Sequence, residues 1–133
     1  MELPVVNHPD YVAKINDDNK SPIKKFGALA EYLLKEGVVK KFYIPKECSI
    51  KTMQTSHSLE YINHIRNKSL DIKLQKKIGF PINDSVARRS FVATGGTVLA
   101  SKLALDSRLA CNTAGGSHHA TFDCGAGYCV FND

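Results

Sequence analysis

The amino-acid sequence predicts an α/β fold of several helices and short strands, and the spacing of its apolar residues carries that prediction. Apolar residues recur at helical intervals in several separate segments. Short apolar runs at residues 3–6 and 109–114 have the length of strands. The second run leads directly into Gly115-Gly116, a loop at the carboxyl end of a strand, which is where open parallel sheets place their sites.

Leu3-Pro4-Val5-Val6 predicts a short strand that ends at Asn7-His8-Pro9, because proline restricts the residue before it. His8 then lies in a loop, hydrogen-bonded so as to pin the strand end. Asn16 to Lys20 is a polar loop by composition. Ser21-Pro22 predicts a helix start, with serine as N-cap and proline at the first helical position, where its missing N–H costs nothing. Phe26, Leu29, Ala30, Leu33 and Leu34 follow at helical spacing, and Gly37 supplies the stop.

Residues 38–45 predict a short extended piece ending at Pro45, and Ser49 caps one helical turn. Ser56-His57 introduces a short helix with Leu59, Ile62 and Ile65 on its buried side, leaving His57 and His64 as surface or capping histidines. Leu70, Leu74 and Ile78 predict another helix, closed by Gly79-Phe80-Pro81. Asn83-Asp84 caps the longest helix, at about residues 85–105, with Val86, Phe91, Val98, Leu99 and Leu103 as its apolar surface. Gly95-Gly96 in its middle costs helix stability, a cost that close packing against a neighbouring backbone would explain. Asp106-Ser107-Arg108 reads as a turn into the strand at 109–114.

A chain of 133 residues with 43% hydrophobic content can bury the core of one domain, and no linker or repeat divides it. No apolar run is long enough to span a bilayer, and Met1-Glu2-Leu3-Pro4-Val5-Val6 lacks the basic start and apolar stretch of a secretion signal, so a cytoplasmic protein without a membrane partner is expected. Cys48, Cys111, Cys124 and Cys129 are too few and too irregular for a disulfide framework, and reduced thiols follow, with Cys111 and Cys129 as buried small hydrophobes. The net charge of +5 permits attraction to acidic surfaces. Its lysines are scattered over solvated helix faces, without the aromatic–basic alternation of a single-strand binder, so nucleic acid is not an expected partner.

The chemistry concentrates at the end of the chain, from Thr113 to Asp133, where His118 and His119 lie between glycines. Adjacent imidazoles resist being charged together, so one ring can accept a proton from water while the other carries positive charge toward a developing anion. That division of labour suits hydrolysis. A bare His-His dipeptide is more often a turn that only hydrogen-bonds its own loop, and Tyr128 taken alone is a half-buried aromatic with a wet tip. A zinc knuckle from His118, His119, Cys124 and Cys129 has spacing unlike the usual short cysteine pair.

Ala114-Gly-Gly-Ser-His-His-Ala120 followed by Gly127-Tyr-Cys-Val-Phe-Asn-Asp133 resembles paired sequence blocks of the histone deacetylase superfamily, closest to its bacterial deacetylase-like, acetoin-utilisation-type branch. His8-Pro-Asp-Tyr11, Ser21 to Phe26, His57 to Ile62, Gly79-Phe-Pro81 and Thr94-Gly-Gly-Thr97 fall in the family's order, so the resemblance covers essentially the whole chain. It implies a partial arginase/deacetylase-type fold, a mainly parallel sheet flanked by helices and incomplete, with residues 1–133 as the N-terminal portion of a histone-deacetylase-like domain.

The resemblance further implies that His119 is the general base and acid and His118 its charged partner. Gly127 takes the place of a backbone carbonyl near the substrate, and Tyr128 that of an aromatic wall of the acyl-lysine channel, where phenylalanine is commoner. It implies zinc in the complete domain, held by an Asp-x-His pair and a later aspartate that follow the Asn-Asp block. No Asp-x-His occurs among these residues, so this chain alone is expected to hold no zinc and to be inactive without a complementing C-terminal half. The expected substrate of the complete domain is acetylated lysine or a small acetylated amine. The alternative is a non-catalytic truncated relic or interaction module of the same fold. Where the family has a His-Arg-Phe-Pro-Met-like stretch, this chain has Asn19-Lys20-Ser21-Pro22-Ile23, which removes an arginine from that region.

Overall fold

The computed structural model describes residues 2–133. In chain order it comprises β1 (Val5–Val6), a 3-10 turn (Pro9–Tyr11), α1 (Lys25–Lys35), α2 (Ile50–Met53), α3 (Leu59–Arg66), α4 (Ile72–Ile78), α5 (Asp84–Ser107) and β2 (Cys111–Asn112). The fold is therefore helix-rich around a small parallel sheet, in which Val5 pairs with Cys111 and Val6 with Asn112. Tyr43 lies along the other edge of β1: its N–H donates to the Val5 carbonyl at 2.9 Å, and its carbonyl accepts from Asn7 at 3.1 Å. The extended pieces expected at 3–6, 38–45 and 109–114 are present, each with less regular pairing than its apolar run suggests.

α5 organises the interior. Val86, Ala87, Phe91, Val92 and Ala93 are buried along it. The main core joins them to Ile62 and Ile65 of α3, Ile78 of α4, Phe80, and Val130 and Phe131 near the end of the chain. Phe131 lies edge-on to Phe91 at 5.2 Å between ring centroids and to Tyr61 at 5.8 Å. The last residues of the chain are thus built into the core.

Side-chain caps set most of the helix starts. Ser49 Oγ accepts from Thr52 N, Asp71 from Lys73 N and Asn83 from Val86 N. Gly37 and Gly79 stop α1 and α4 with φ of +67° and +94°. His8 Nδ1 accepts from Asp10 N at 3.0 Å, which fixes the 3-10 turn just after β1.

The structure corrects several sequence expectations. α1 begins at Lys25, not at Ser21-Pro22, and has no side-chain cap. Ile23 is buried in the core, and the chain turns to place it there, with Ile23 N donating to Ser21 O and Lys25 N to Pro22 O. α1 also leaves Leu29 and Leu34 largely exposed. α3 is capped by Ser58, not Ser56-His57, because the preceding turn runs through His57 N to Met53 O. Tyr61 is buried there and Leu59 is exposed. α5 continues through Asp106 and Ser107 and ends on Arg108 at φ +68°, so the expected turn is the last turn of the helix. Cys111 is exposed instead of buried, whereas Cys129 is buried as expected.

Gly95 and Gly96 pack as their helical cost suggested. A Cβ on Gly95 would collide with the Lys46 carbonyl, and one on Gly96 with the Tyr11 hydroxyl and the Asn112 amide. Alanine would gain about 1 kcal/mol of helix propensity, but the clash at Gly95 is with backbone that no rotamer change relieves. Gly95→Ala is therefore expected to destabilise the chain by about 1–3 kcal/mol in urea-induced unfolding; equal or higher stability would show that the Lys46 segment does not sit against α5.

Candidate functional site

The loop after β2 begins with Thr113, whose N–H donates to Val6 O at 3.0 Å and whose hydroxyl donates to Asn7 Oδ1 at 2.8 Å. Gly115 then adopts φ +70°, turning the chain away from the sheet. At Gly115 and Gly116 a Cβ would meet nothing within 4 Å, so the pair serves the turn and not a close backbone approach.

His118 and His119 follow on the surface. Their ring centroids are 4.2 Å apart with planes tilted by 45°, and both residues are exposed. Gly127 lies against His119: a Cβ there would sit 3.1 Å from His119 Cδ2. The turn carrying Gly127 rests on the end of α4, with Gly127 N donating to Lys77 O at 3.2 Å and Tyr128 N to Ile78 O at 2.6 Å. Tyr128, at φ +66°, lays its ring beside Phe80 at 5.4 Å and over Gly79. The fold therefore brings His118, His119 and Gly127 into one cluster, with Tyr128 adjacent.

An open cleft of about 630 Å³ runs beside this cluster. Tyr128, Gly115, Gly116 and Ser117 line it together with Pro22, Ile23, Phe26 and Arg89. The tandem histidines stand next to this cleft and are not among its lining residues. Arg89 Nε donates to Tyr11 O at 2.8 Å and its guanidinium stacks over Phe26 at 4.6 Å. Burial lowers its pKa, and the charge of Asp133 opposes that shift. Arg89 thus returns a guanidinium to the region where the Asn19–Ile23 stretch lacks one. Its spacing from buried Val86 and Ala93 on the same helix was the available signal.

The loop is tied down from below by Asn132 and Asp133. Asp133 Oδ1 accepts from Ser117 N at 2.6 Å, and its Oδ2 accepts from the Thr97 hydroxyl at 2.8 Å. Thr97 Oγ1 also accepts from Asn112 Nδ2 at 3.2 Å, and Asn112 Oδ1 accepts from Tyr11 OH at 2.9 Å. Asn132 Nδ2 donates to Ala120 O at 2.9 Å and to His118 O at 3.3 Å.

His57, expected at the surface, is 2% exposed. It is pulled inward because both ring nitrogens have partners: Nε2 accepts from Asn132 N at 2.9 Å and Nδ1 faces Phe122 O at 3.3 Å. His64 lies at the surface beside Ser69 Oγ, as expected.

Among the described residues, no group of three or more His, Cys, Asp and Glu side chains is placed to hold a metal ion. The knuckle of His118, His119, Cys124 and Cys129 is not assembled: Cys129 is buried, and Cys124 Sγ accepts from Lys77 Nζ at 3.4 Å. The donor set present here does not fit the zinc that the sequence resemblance implies.

Comparison with known proteins agrees with the fold. Residues 20–133 match the histone deacetylase domain. An uncharacterized protein of Picosynechococcus is 40% identical over 135 residues, covering 100% of this chain and 45% of that protein. Histone deacetylase 2 of Arabidopsis thaliana is 29% identical over 82% of this chain and 30% of its own length, and histone deacetylase 8 of Xenopus tropicalis is 26% identical over 98% and 39%. The crystal structure of the HDA15 HD domain superposes with a TM-score of 0.79 at 16% identity, covering 99% of this chain and 40% of that one. The chain belongs to the histone deacetylase family, and it spans less than half the length of these relatives.

The buried imidazole of His57 makes stability depend on pH. Burial lowers its pKa below the usual value near 6.5, against opposing hydrogen bonds to the Phe122 and Thr121 carbonyls. Tyr61 stacks beside it, and Cys48 and Asp133 share the small cavity that it lines. A folded-state pKa below the unfolded one means that the unfolded chain binds more protons in the interval between them. The His57 contribution is thus complete above about pH 6.5 and is lost as pH falls through the lower folded value. Urea unfolding of wild type and His57→Gln between pH 7.5 and 5 is expected to show a steeper decline for wild type; parallel curves would contradict a buried, uncharged His57.

Proposed function

We propose that this chain supplies the tandem-histidine part of a zinc-dependent deacetylase domain that hydrolyses acetyl-lysine or another acetylated amine in the cytoplasm. The observation that carries the reading is the side-by-side placement of His118 and His119 on a glycine turn, with His119 against Gly127 and a cleft alongside. In this reading His119 takes a proton from water and returns it to the leaving amine. His118 carries positive charge toward the developing anion. The Gly127 carbonyl accepts a hydrogen bond from the substrate amide, and Tyr128 walls the acyl-lysine chain.

The metal of the complete domain would be held by residues outside these 133 positions, in a complementing C-terminal half, and its contribution would be to polarise the acetyl carbonyl. The exposure of both histidines suits a loop that is covered when that half is present. The second reading is a non-catalytic relic or interaction module of the same fold. Exposed Leu105 and Leu109 beside β2 are apolar surface that either kind of partner would cover.

The readings separate in one experiment. The chain is mixed with zinc and the C-terminal part of the Picosynechococcus relative, and acetate release from an acetyl-lysine peptide is measured on the isolated complex. Hydrolysis that falls by roughly 10²–10⁴-fold in His119→Ala, and less in His118→Ala, supports the catalytic reading. A folded, zinc-loaded complex without hydrolysis leaves the relic reading in its place, and hydrolysis indifferent to His119 removes the proton-transfer role assigned to that residue.

A further inference from the structure

We propose that His57 is a positioning residue for the tandem histidines, acting through Asn132, whose backbone N–H it accepts and whose side-chain amide holds the carbonyls of the histidine loop. The inference rests on the reading of His118 and His119 as proton-transfer groups, but its geometry stands on contacts of its own.

The segment His57-Ser58 grips the chain at two points beyond the histidines, Phe122 and Asn132. Ser58 N donates to Phe122 O at 2.9 Å, and His57 Nδ1 faces the same carbonyl at 3.3 Å. At the second point, His57 Nε2 accepts from Asn132 N at 2.9 Å. Asn132 is then fixed at its backbone, and its amide nitrogen reaches Ala120 O at 2.9 Å and His118 O at 3.3 Å. One ring therefore sets the residue that brackets His119 on both sides.

The arrangement demands a particular tautomer. A ring nitrogen that accepts a backbone N–H carries no proton, so Nε2 is bare and Nδ1 holds the hydrogen directed at Phe122 O. The ring itself is immobilised by Tyr61 at 5.6 Å and Phe131 at 5.2 Å. A histidine kept only for packing would not need either nitrogen aimed at the loop. A hydrocarbon ring would fill the volume and leave the Asn132 N–H without an acceptor, which is the costly half of a lost hydrogen bond.

The test uses the ¹⁵N-labelled 133-residue chain and two variants. His57→Phe keeps a ring and removes the acceptor; His57→Gln places an amide oxygen near the position of Nε2. Amide exchange at Asn132 is compared with exchange at Val92 in the core of α5, so that a general loss of stability cancels. Exchange at Asn132 relative to Val92 is expected to rise by roughly tenfold in His57→Phe, the equivalent of one buried hydrogen bond, and to return toward wild type in His57→Gln. The imidazole shifts of His118 and His119 should move in His57→Phe and not in His57→Gln.

Asn132 exchange that tracks Val92 in both variants overturns the proposal. Long-range ¹H–¹⁵N spectra of wild type decide the point even if His57→Phe does not fold: a proton on Nδ1 supports the clamp and a proton on Nε2 overturns it. Because none of these signals depends on turnover, loss of the clamp is distinguishable from loss of the deacetylase reading. Hydrolysis that needs His119 while Asn132 ignores His57 would remove the clamp alone.

Discussion

The histidine loop is held in place by a polar ladder that crosses the molecule. It runs from the Tyr11 hydroxyl through the Asn112 side chain and the Thr97 hydroxyl to the Asp133 carboxylate, and ends on the backbone N–H of Ser117, immediately before His118. Each link joins a different element: the 3-10 turn after β1, β2, the middle of α5, the end of the chain and the loop itself. Gly96 makes the ladder possible, because any side chain there would occupy the space in which Tyr11 and Asn112 meet. A buried polar network of this kind is strong only when each member is satisfied, and no buried side-chain polar atom among the described residues lacks a partner.

The ladder explains why residues so distant in sequence bear on one short loop. Asp133 and Asn132 hold it from below, while Phe131 beside them anchors that grip among Phe91, Tyr61 and His57. The apolar core and the polar ladder share α5: Phe91 and Val86 face one, Thr97 the other. Packing therefore sets where the carboxylate is, and the carboxylate sets where the histidines are.

Much of this was legible in the sequence, and the failures have physical causes. The Gly95-Gly96 pair signals a close approach because two glycines inside a helix cost stability, and both pack against neighbouring atoms. The caps at Ser49 and Asn83 and the stops at Gly37 and Gly79 are local signals, and they held. The helix start at Ser21-Pro22 failed because burial of Ile23, a tertiary demand, overrode a sound local cap. His57 was misjudged for the same reason: its partners, Phe122 and Asn132, lie 65 and 75 residues away, and no periodicity reports them. The cluster of His118, His119 and Gly127 was found by its motif, whereas Arg89 at the cleft could be seen only through its helical phase with Val86 and Ala93.

The position of the histidine loop depends on the coupling that Asp133 makes between the loop and α5. A double-mutant cycle between Thr97→Val and Asp133→Ala, read by urea unfolding, measures that link directly. A coupling energy of about 0.5–3 kcal/mol is the expected result for residues in one hydrogen-bonded network. Additivity to within about 0.3 kcal/mol would contradict it, and would mean that the histidine loop is not anchored through this carboxylate.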